Sequence, residues 1–234
     1  MNRLALSVLV LSGLVTSLVR AQQNNLPAKT ANAIDRPAEP GLVFDEDGGK
    51  VQIVPPDVTL SWEKKFHRGD VMKSVQQISI FLGAAWGDQK VRSRETALVD
   101  LASTEKLPLE ELKKNSFRVL AAAPGIDDFT DLTKAQVKDL TVQRKLSDLL
   151  ANKAIPIPNP STVYVVYLAP GISSSLGAQK AGVDYAAYHN WVHLDAGEVR
   201  YVVVPFQDNT DRQAAAAARA LVETALNPNG TGWY

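Results

Sequence analysis

The chain of 234 residues contains no cysteine, so every class of site that depends on a thiol is excluded. Disulfide bonds, thiolate zinc sites, iron–sulfur clusters and cysteine nucleophiles all need that side chain. An excess of one charge is also missing, because 25 basic side chains stand against 25 acidic ones. A chain without net charge does not attract nucleic acid or anionic lipid over a broad surface. Its 45% of hydrophobic residues are enough for one domain whose core needs no metal or disulfide.

The first 21 residues have the pattern of a secretory signal peptide. A basic start at Arg3 is followed by an apolar stretch over residues 4–19, which is short beside the roughly 20 apolar residues of a membrane-spanning helix. Small residues near positions −3 and −1 predict cleavage after Ala21. We therefore expect a secreted or periplasmic protein with no membrane span after cleavage, with an uncleaved membrane anchor as the alternative.

The remaining chain divides into a short leader and one domain. Residues 22–41 are rich in Gln, Asn, Ala and Pro without a hydrophobic period, which predicts a flexible linker. Residues 42–234 carry all the periodic segments and are predicted to form a single domain.

The strand signals of this domain differ in strength. Apolar residues alternate with polar ones or prolines over residues 51–62, which predicts a half-buried strand. Continuous β-branched and aromatic runs at residues 162–168 and 199–204 predict central strands that are covered on both faces. Together with the helices described next, these strands indicate an α/β fold, a three-layer domain around a mixed central sheet.

Helical spacing of apolar residues is found in five segments. These are residues 71–82 behind an N-cap at Asp70, residues 93–103, residues 108–115, a segment that starts with the capping box at 133–136, and an alanine-rich segment between 208 and 226. Prolines follow the fourth segment, and Asn227-Pro228 follows the fifth. Both helices are therefore predicted to end there.

Familiar catalytic motifs are missing, and we predict no catalytic residue. The sequence has no glycine-rich phosphate loop, no G-x-S-x-G elbow and no H-E-x-x-H helix. The serines within residues 171–177 fit no nucleophile pattern, so this segment is predicted to be a flexible surface loop. Asp127, Asp128 and Asp131 are interpreted as caps and a turn in preference to a paired-carboxylate site.

The three histidines are His67, His189 and His193. On a helix, the last two would share a face and could bind zinc, with Glu223 or Asp195 as a third ligand. On a strand they would still lie on one side, but about 13 Å apart between Cα atoms, too far for one ion. Ordinary hydrogen-bonded histidines are the preferred interpretation.

The second half of the chain carries a series of motifs in a fixed order. They are a proline-rich entry from Pro156, Val163-Tyr164-Val165-Val166-Tyr167-Leu168-Ala169-Pro170-Gly171, Tyr188-His189, Tyr201-Val202-Val203-Val204-Pro205, Asn227-Pro228 and Gly232-Trp233-Tyr234. In this order they resemble the EXORDIUM / phosphate-induced-protein family of secreted proteins and its bacterial relatives. The resemblance covers most of the mature chain and is specific only after about residue 156.

The resemblance has a consequence for the last helix. In many family members this helix reads S-H-E-L-A-E, which resembles the H-E-x-x-E helix of zinc peptidases and implies a zincin-like architecture. Here the His position is Arg219, the first Glu position is Ala220 and the second is Glu223. A guanidinium offers no lone pair to zinc, and alanine cannot act as a base. The motif is therefore degenerate, and Glu223 is expected to pair with Arg219 as an ordinary i,i+4 ion pair.

These observations lead to a preferred function and two alternatives. We expect a secreted, non-catalytic domain that binds an extracellular or envelope ligand, with no bound cofactor, and Trp86, Trp191 and Trp233 as candidate contact groups. The first alternative is a metal-dependent hydrolase with zinc held by His189, His193 and Glu223. The second is a structural or assembly role in the envelope.

Overall fold

The computed structural model describes most of the domain. The described residues are 42–44, 50–56, 69–104, 106–107, 112–113, 117–128 and 136–231, with the backbone alone at 42–44. All of them belong to one compact unit, residues 37–234. The strands are β1 Leu42–Phe44, β2 Lys50–Val54, β3 Ser74–Leu82, β4 Arg118–Val119, β5 Ile126–Asp128, β6 Gln136–Lys138, β7 Thr162–Leu168, β8 Ser173–Leu176, β9 Gln179–Lys180, β10 Ala187–Leu194 and β11 Gly197–Val204. The helices are a 3-10 turn at Ala84–Gly87, α1 Gln89–Arg92, α2 Glu95–Val99, α3 Asp139–Ala151 and α4 Thr210–Leu226.

The central sheet is mixed, as predicted. Its strand order is β1-β2-β10-β11-β7-β3-β4, and β5 also pairs with β3. Strands β3, β7 and β11 run parallel, whereas β10 is antiparallel to both β11 and β2. Every residue of β7 is buried, which confirms the prediction of a doubly covered central strand. A separate small sheet has the order β6-β8-β9.

Helices cover both faces of the central sheet and form the outer two of three layers. On one face, α4 packs over β10 and β11, and α2 lies beside it. On the other face, α3 places Val142, Leu146 and Leu150 against the sheet. Successive side chains of β7 alternate between the two cores, so that Val165 contacts the first and Val166 the second. The α/β fold is thereby confirmed, while its zincin-like form stays a prediction.

The predicted helix over residues 71–82 is wrong, because β3 occupies most of this segment. The apolar residues fall at helical spacing, but they also fit a strand that is buried on both faces. The two polar residues inside the strand are satisfied by α2 and the turn after it. Gln77 donates to the carbonyl of Leu98 at 2.6 Å and accepts from the amide of Leu101 at 3.0 Å, and Ser79 donates to Leu98 at 3.3 Å.

Two further predictions are corrected in the middle of the chain. The helix expected from the capping box begins only at Asp139, because residues 136–138 pair with β8 as strand β6. Residues 173–176 form strand β8 in the segment predicted to be a flexible loop, and Ser174 and Ser175 are buried. Each segment gains its regular structure from the other, which no local pattern reveals.

The other helical predictions have mixed outcomes. The segment 93–103 contains only the short helix α2, and of the segment 108–115 only residues 112–113 are described, as helix. The last helix is confirmed as α4, with Asn209 as its N-cap. Across the described part of the chain, no helix is long and apolar enough to cross a membrane. Residues 1–41, and therefore the predicted signal peptide and linker, lie outside the described residues.

Candidate functional site

Strands β3, β7 and β11 end together at one edge of the sheet. The register pairs Leu82 with Leu168 and Val204 with Tyr167, so the three carboxyl ends lie side by side. In open α/β sheets, ligands bind in the crevice beyond the carboxyl ends of the parallel strands. A ligand site is therefore expected at this edge of the sheet.

A cleft of about 410 Å³ opens at this edge, within the size range of small-ligand sites. The segments that follow β7 and β11 form two of its sides, and the start of α4 borders it. Its lining residues are Pro56, Ile172, Ser173, Ala181, Gly182, Ala186, Pro205, Phe206, Gln207, Asp208, Asn209 and Arg212. About half of these residues are apolar and half are polar.

A glycine allows the loops after β3 and β7 to approach each other beside the cleft. Gly83 has φ +119°, a conformation that side-chain-bearing residues rarely adopt. A Cβ atom at this position would lie 2.6 Å from Ile172 Cδ1 and 2.7 Å from Ala169 Cβ. Ile172 can therefore occupy its position in the cleft wall only because residue 83 is a glycine.

The polar cleft residues differ in whether the protein already satisfies them. Asn209 accepts the amide of Arg212 at 3.0 Å and so caps α4. Gln207 donates to the carbonyl of Ala186 at 3.4 Å. In contrast, the charged side chains of Asp208 and Arg212 are exposed and join no ion pair within the described residues.

Arg94 contacts residues 206–208, the part of the cleft wall that follows β11. Its guanidinium donates to the carbonyls of Gln207 at 2.6 Å and Asp208 at 2.5 Å. The same group lies over the ring of Phe206, 4.6 Å from the centroid. The Trp86 ring packs edge-on against the Phe206 ring, with 6.3 Å between their centroids. One arginine at the start of α2 therefore fixes three consecutive residues of the cleft wall.

On the opposite face of the sheet, Asp139 is fully buried at the first position of α3. Its carboxylate accepts the hydroxyl of Tyr201 at 2.8 and 2.9 Å, the amide of Asn190 at 2.9 Å and that of Gln143 at 2.7 Å. Gln143 also donates to the Tyr201 hydroxyl at 3.0 Å. These four residues, which we call the Asp139 cluster, join the start of α3 to β10 and β11.

Burial dominates the electrostatics of the Asp139 cluster. Loss of solvent raises the pKa of the Asp139 carboxyl, and hydrogen bonds from Tyr201, Asn190 and Gln143 only partly oppose the rise. The pKa values of the Tyr188 and Tyr201 hydroxyls are raised well above the ordinary value, first by burial and then by the nearby carboxylate. Both phenols therefore stay protonated, and the Tyr201 hydroxyl donates to Asp139.

The Asp139 cluster is connected to the wall of the cleft through strands β6 and β8. Strand β6, which precedes Asp139, pairs with β8, and Ser173 at the start of β8 lines the cleft. Next to it, Ser174 hydrogen-bonds the Tyr185 hydroxyl at 2.9 Å, and the Tyr185 ring packs edge-on against Tyr188 at 5.8 Å. Tyr188 in turn lies close enough to Asp139 for the carboxylate to raise the pKa of its hydroxyl, so these groups connect the cluster to the strand that borders the cleft.

The residues predicted as zinc ligands lie on β10 and α4. His189 and His193 are on one face of the strand, so the extended alternative, with about 13 Å between their Cα atoms, is the one that applies. His189 is buried and bonded to Gln52 at 3.1 Å, as expected for an ordinary histidine, whereas His193 is exposed. Glu223 accepts from Arg219 at 3.0 Å, which confirms the predicted ion pair.

Zinc binding itself stays a prediction. Among the described residues, no group of three or more His, Asp or Glu side chains is arranged to hold a metal ion. Gln52 also accepts from Asn227 at 2.8 Å, so the amide oxygen connects His189 to the end of α4. Asp195 lies in the hairpin turn after β10, and His67 lies outside the described residues.

Other residues singled out from the sequence have separate places. Asp127 pairs with Arg92 at 2.6 Å and Asp128 with Lys145 at 3.0 Å, so both carboxylates lie in ion pairs. Asp131 lies outside the described residues.

The three candidate contact tryptophans differ from one another. Trp86 is buried and cannot be a contact group, which corrects the prediction, whereas Trp191 is 42% exposed. Trp233 lies outside the described residues.

Sequence reasoning missed both Asp139 and Arg94. A signal for Asp139 was present, because residues 139, 142, 146 and 150 share one helix face and the last three are apolar. A carboxylate on that face must be buried and therefore satisfied. No comparable signal exists for Arg94, whose partners are main-chain carbonyls more than 100 positions away.

No family model matches the chain, and no curated protein or solved structure matches it either. The resemblance to the EXORDIUM family therefore rests on the sequence motifs alone and stays a prediction.

Proposed function

We propose that this protein is an exported, non-catalytic binding domain whose ligand occupies the cleft beyond β7 and β11. The observation that carries this proposal is the cleft itself, at the carboxyl edge of three parallel strands. Its apolar lining offers area to bury, and Asp208 and Arg212 offer charges that the described residues leave unpaired. A wall fixed by Arg94 reduces the cost of ordering the site on binding.

The cleft chemistry favours binding over catalysis. A serine nucleophile requires a base within hydrogen-bonding reach. Ser173 is the serine of the cleft, whose lining includes no histidine, lysine or glutamate, and its carboxylate, Asp208, makes no hydrogen bond with Ser173. Among the described residues, Ser173 hydrogen-bonds no side-chain base. The degenerate motif at Arg219 and Ala220 supports the same conclusion from the sequence.

Export is supported by the signal-peptide pattern of the first 21 residues. Expression of the full chain in an exporting host should yield a mature protein that begins at Gln22 and is found outside the cytoplasm. Intact-mass measurement of the purified protein tests this. A chain that keeps residues 1–21 and stays in the membrane fraction would support the uncleaved anchor.

Binding in the cleft is tested by two-dimensional amide NMR with a panel of small polar compounds. The panel contains monosaccharides, amino acids, short peptides, dicarboxylates and nucleosides, each at millimolar concentration. We expect at least one compound to shift the amides of Ser173, Gly182 and Asn209 in a saturable manner. A panel that leaves all three unmoved contradicts the proposal.

A pair of variants separates the cleft from other surfaces. Ser173→Trp places a large side chain in the cleft and should abolish the shifts. Ala151→Trp makes a similar change at the exposed end of α3, on the other face of the sheet, and should leave them unchanged. Equal effects of the two variants would show that binding occurs elsewhere.

A further inference from the structure

Two aspartates near this edge of the sheet are ion-paired, whereas the two charged residues of the cleft are not. Asp211 lies next to Arg212 and is paired with Lys106 at 3.0 Å. At the same end of the sheet, Asp127 is paired with Arg92 at 2.6 Å. Asp208 and Arg212 both line the cleft, yet they pair neither with each other nor with another described residue.

The apolar lining offers a contact surface to a small ligand body. Ile172, Ala186, Pro205 and Phe206 contribute carbon surface to the cleft. The Arg94 guanidinium lies over the Phe206 ring and holds it in one position, so the ring is already ordered before a ligand binds. A ligand that fills the cleft therefore meets carbon atoms on this surface and opposite charges at Asp208 and Arg212.

We infer that the ligand is a small zwitterion with an apolar body, of the amino-acid or short-peptide class. This inference rests on the proposed function. A bound ligand reduces the access of water to Asp208 and Arg212, and a charge that loses water without gaining a partner costs free energy. A carboxylate suits the planar fork of Arg212, and an ammonium group suits the carboxylate of Asp208. A zwitterion supplies both partners and keeps the complex neutral.

Four probes with one carbon skeleton test the charge requirement. They are L-valine, N-acetyl-L-valine without the ammonium, L-valinamide without the carboxylate, and N-acetyl-L-valinamide without either charge. L-alanyl-L-alanine and its capped form test whether a short peptide is the better source of the same chemistry. Dissociation constants come from the shifts of the Ser173, Gly182 and Asn209 amides.

We expect each missing charge to weaken binding about tenfold, the effect of one charged hydrogen bond. Asp208→Asn should remove the preference for L-valine over N-acetyl-L-valine. Arg212→Gln should remove the preference for L-valine over L-valinamide. Asp195→Asn, in the turn at the opposite edge of the sheet, and Arg144→Gln, exposed on α3, are matched controls that should keep both preferences.

Three results would overturn the inference. The first is binding of N-acetyl-L-valinamide or a monosaccharide as tightly as L-valine, which leaves the proposed function intact. The second is the same loss of preference in the control variants as in the cleft variants. The third is no shift from L-valine or the dipeptide; the proposed function then depends on the rest of the panel.

Discussion

The Asp139 cluster and the cleft differ in how the protein satisfies their charged groups. Asp139 is fully buried and accepts hydrogen bonds from three side chains. Asp208 is exposed and has no charged partner in the described structure. In the first arrangement the donors offset part of the cost of burying the carboxyl group, and they would be left unpaired without it. In the second arrangement, the unpaired charge can form an ion pair with a ligand.

Replacement of the two aspartates should give the largest difference between these regions. Asp139→Ala leaves Tyr201, Asn190 and Gln143 without their acceptor and should lower the free energy of unfolding by about 3 kcal/mol. Asp208→Ala should change it by less than about 0.5 kcal/mol. Urea denaturation followed by circular dichroism measures both. Equal losses in the two variants would show that the cleft loop is structural.

Arg94 is expected to affect both stability and the cleft. Arg94→Ala removes two charged hydrogen bonds to the carbonyls of Gln207 and Asp208 and should cost about 1–2 kcal/mol of unfolding free energy. The amide signals of residues 206–209 should move more than those of the Asp139 cluster. Arg94→Lys keeps the charge but not the planar fork, so it should restore only part of the effect. Full restoration by lysine contradicts the proposed geometry.

The Asp139 cluster should also show a smaller, pH-dependent effect. Burial raises the pKa of Asp139, so the folded protein binds this proton more tightly than the unfolded chain does. Its contribution to stability is therefore complete below the unfolded pKa of about 3.9 and is lost as the pH rises through the folded pKa. Asp139→Asn does not titrate, and its stability relative to the wild type should increase across this range. A constant difference between the two proteins contradicts the raised pKa.

The smallest effect is expected at the histidines. Dialysis against a chelator should leave the melting temperature unchanged, because His189 bonds to Gln52 and His193 is exposed on the same strand. His193→Ala should change stability by less than about 0.5 kcal/mol. Zinc at near-stoichiometric amounts in protein purified without chelator would instead support the hydrolase alternative.

The success of the sequence predictions depended on how local their causes were. The buried run 162–168 and the helix behind Asn209 were predicted correctly, because hydrophobic pattern and capping suffice for each. The helix expected at 71–82 is a strand, and the loop expected at 171–177 contains one. Both strands form by pairing with distant segments, and pairing overrides local preference.

The candidate site was harder to predict than the fold. The Arg219–Glu223 pair was predictable because i,i+4 side chains meet on any helix. The cleft combines residues from position 56 to position 212, and its wall depends on Arg94 through main-chain atoms, which have no sequence signature. Spacing along the chain carries no information about such contacts.

The sequence by itself determined that no thiol chemistry is available, that the domain is α/β, and that the last helix carries Arg219 and Ala220, of which the first cannot bind zinc and the second cannot act as a base. Composition is a property of the whole chain, and periodicity and side-chain chemistry are properties of short segments. All three can therefore be determined without coordinates. Tertiary structure alone decided that Asp139 is buried with its donors while Asp208 and Arg212 border an open cleft. The reason is that solvation and partners are set by groups far apart in the chain, which only the packed sheet and its helices bring together.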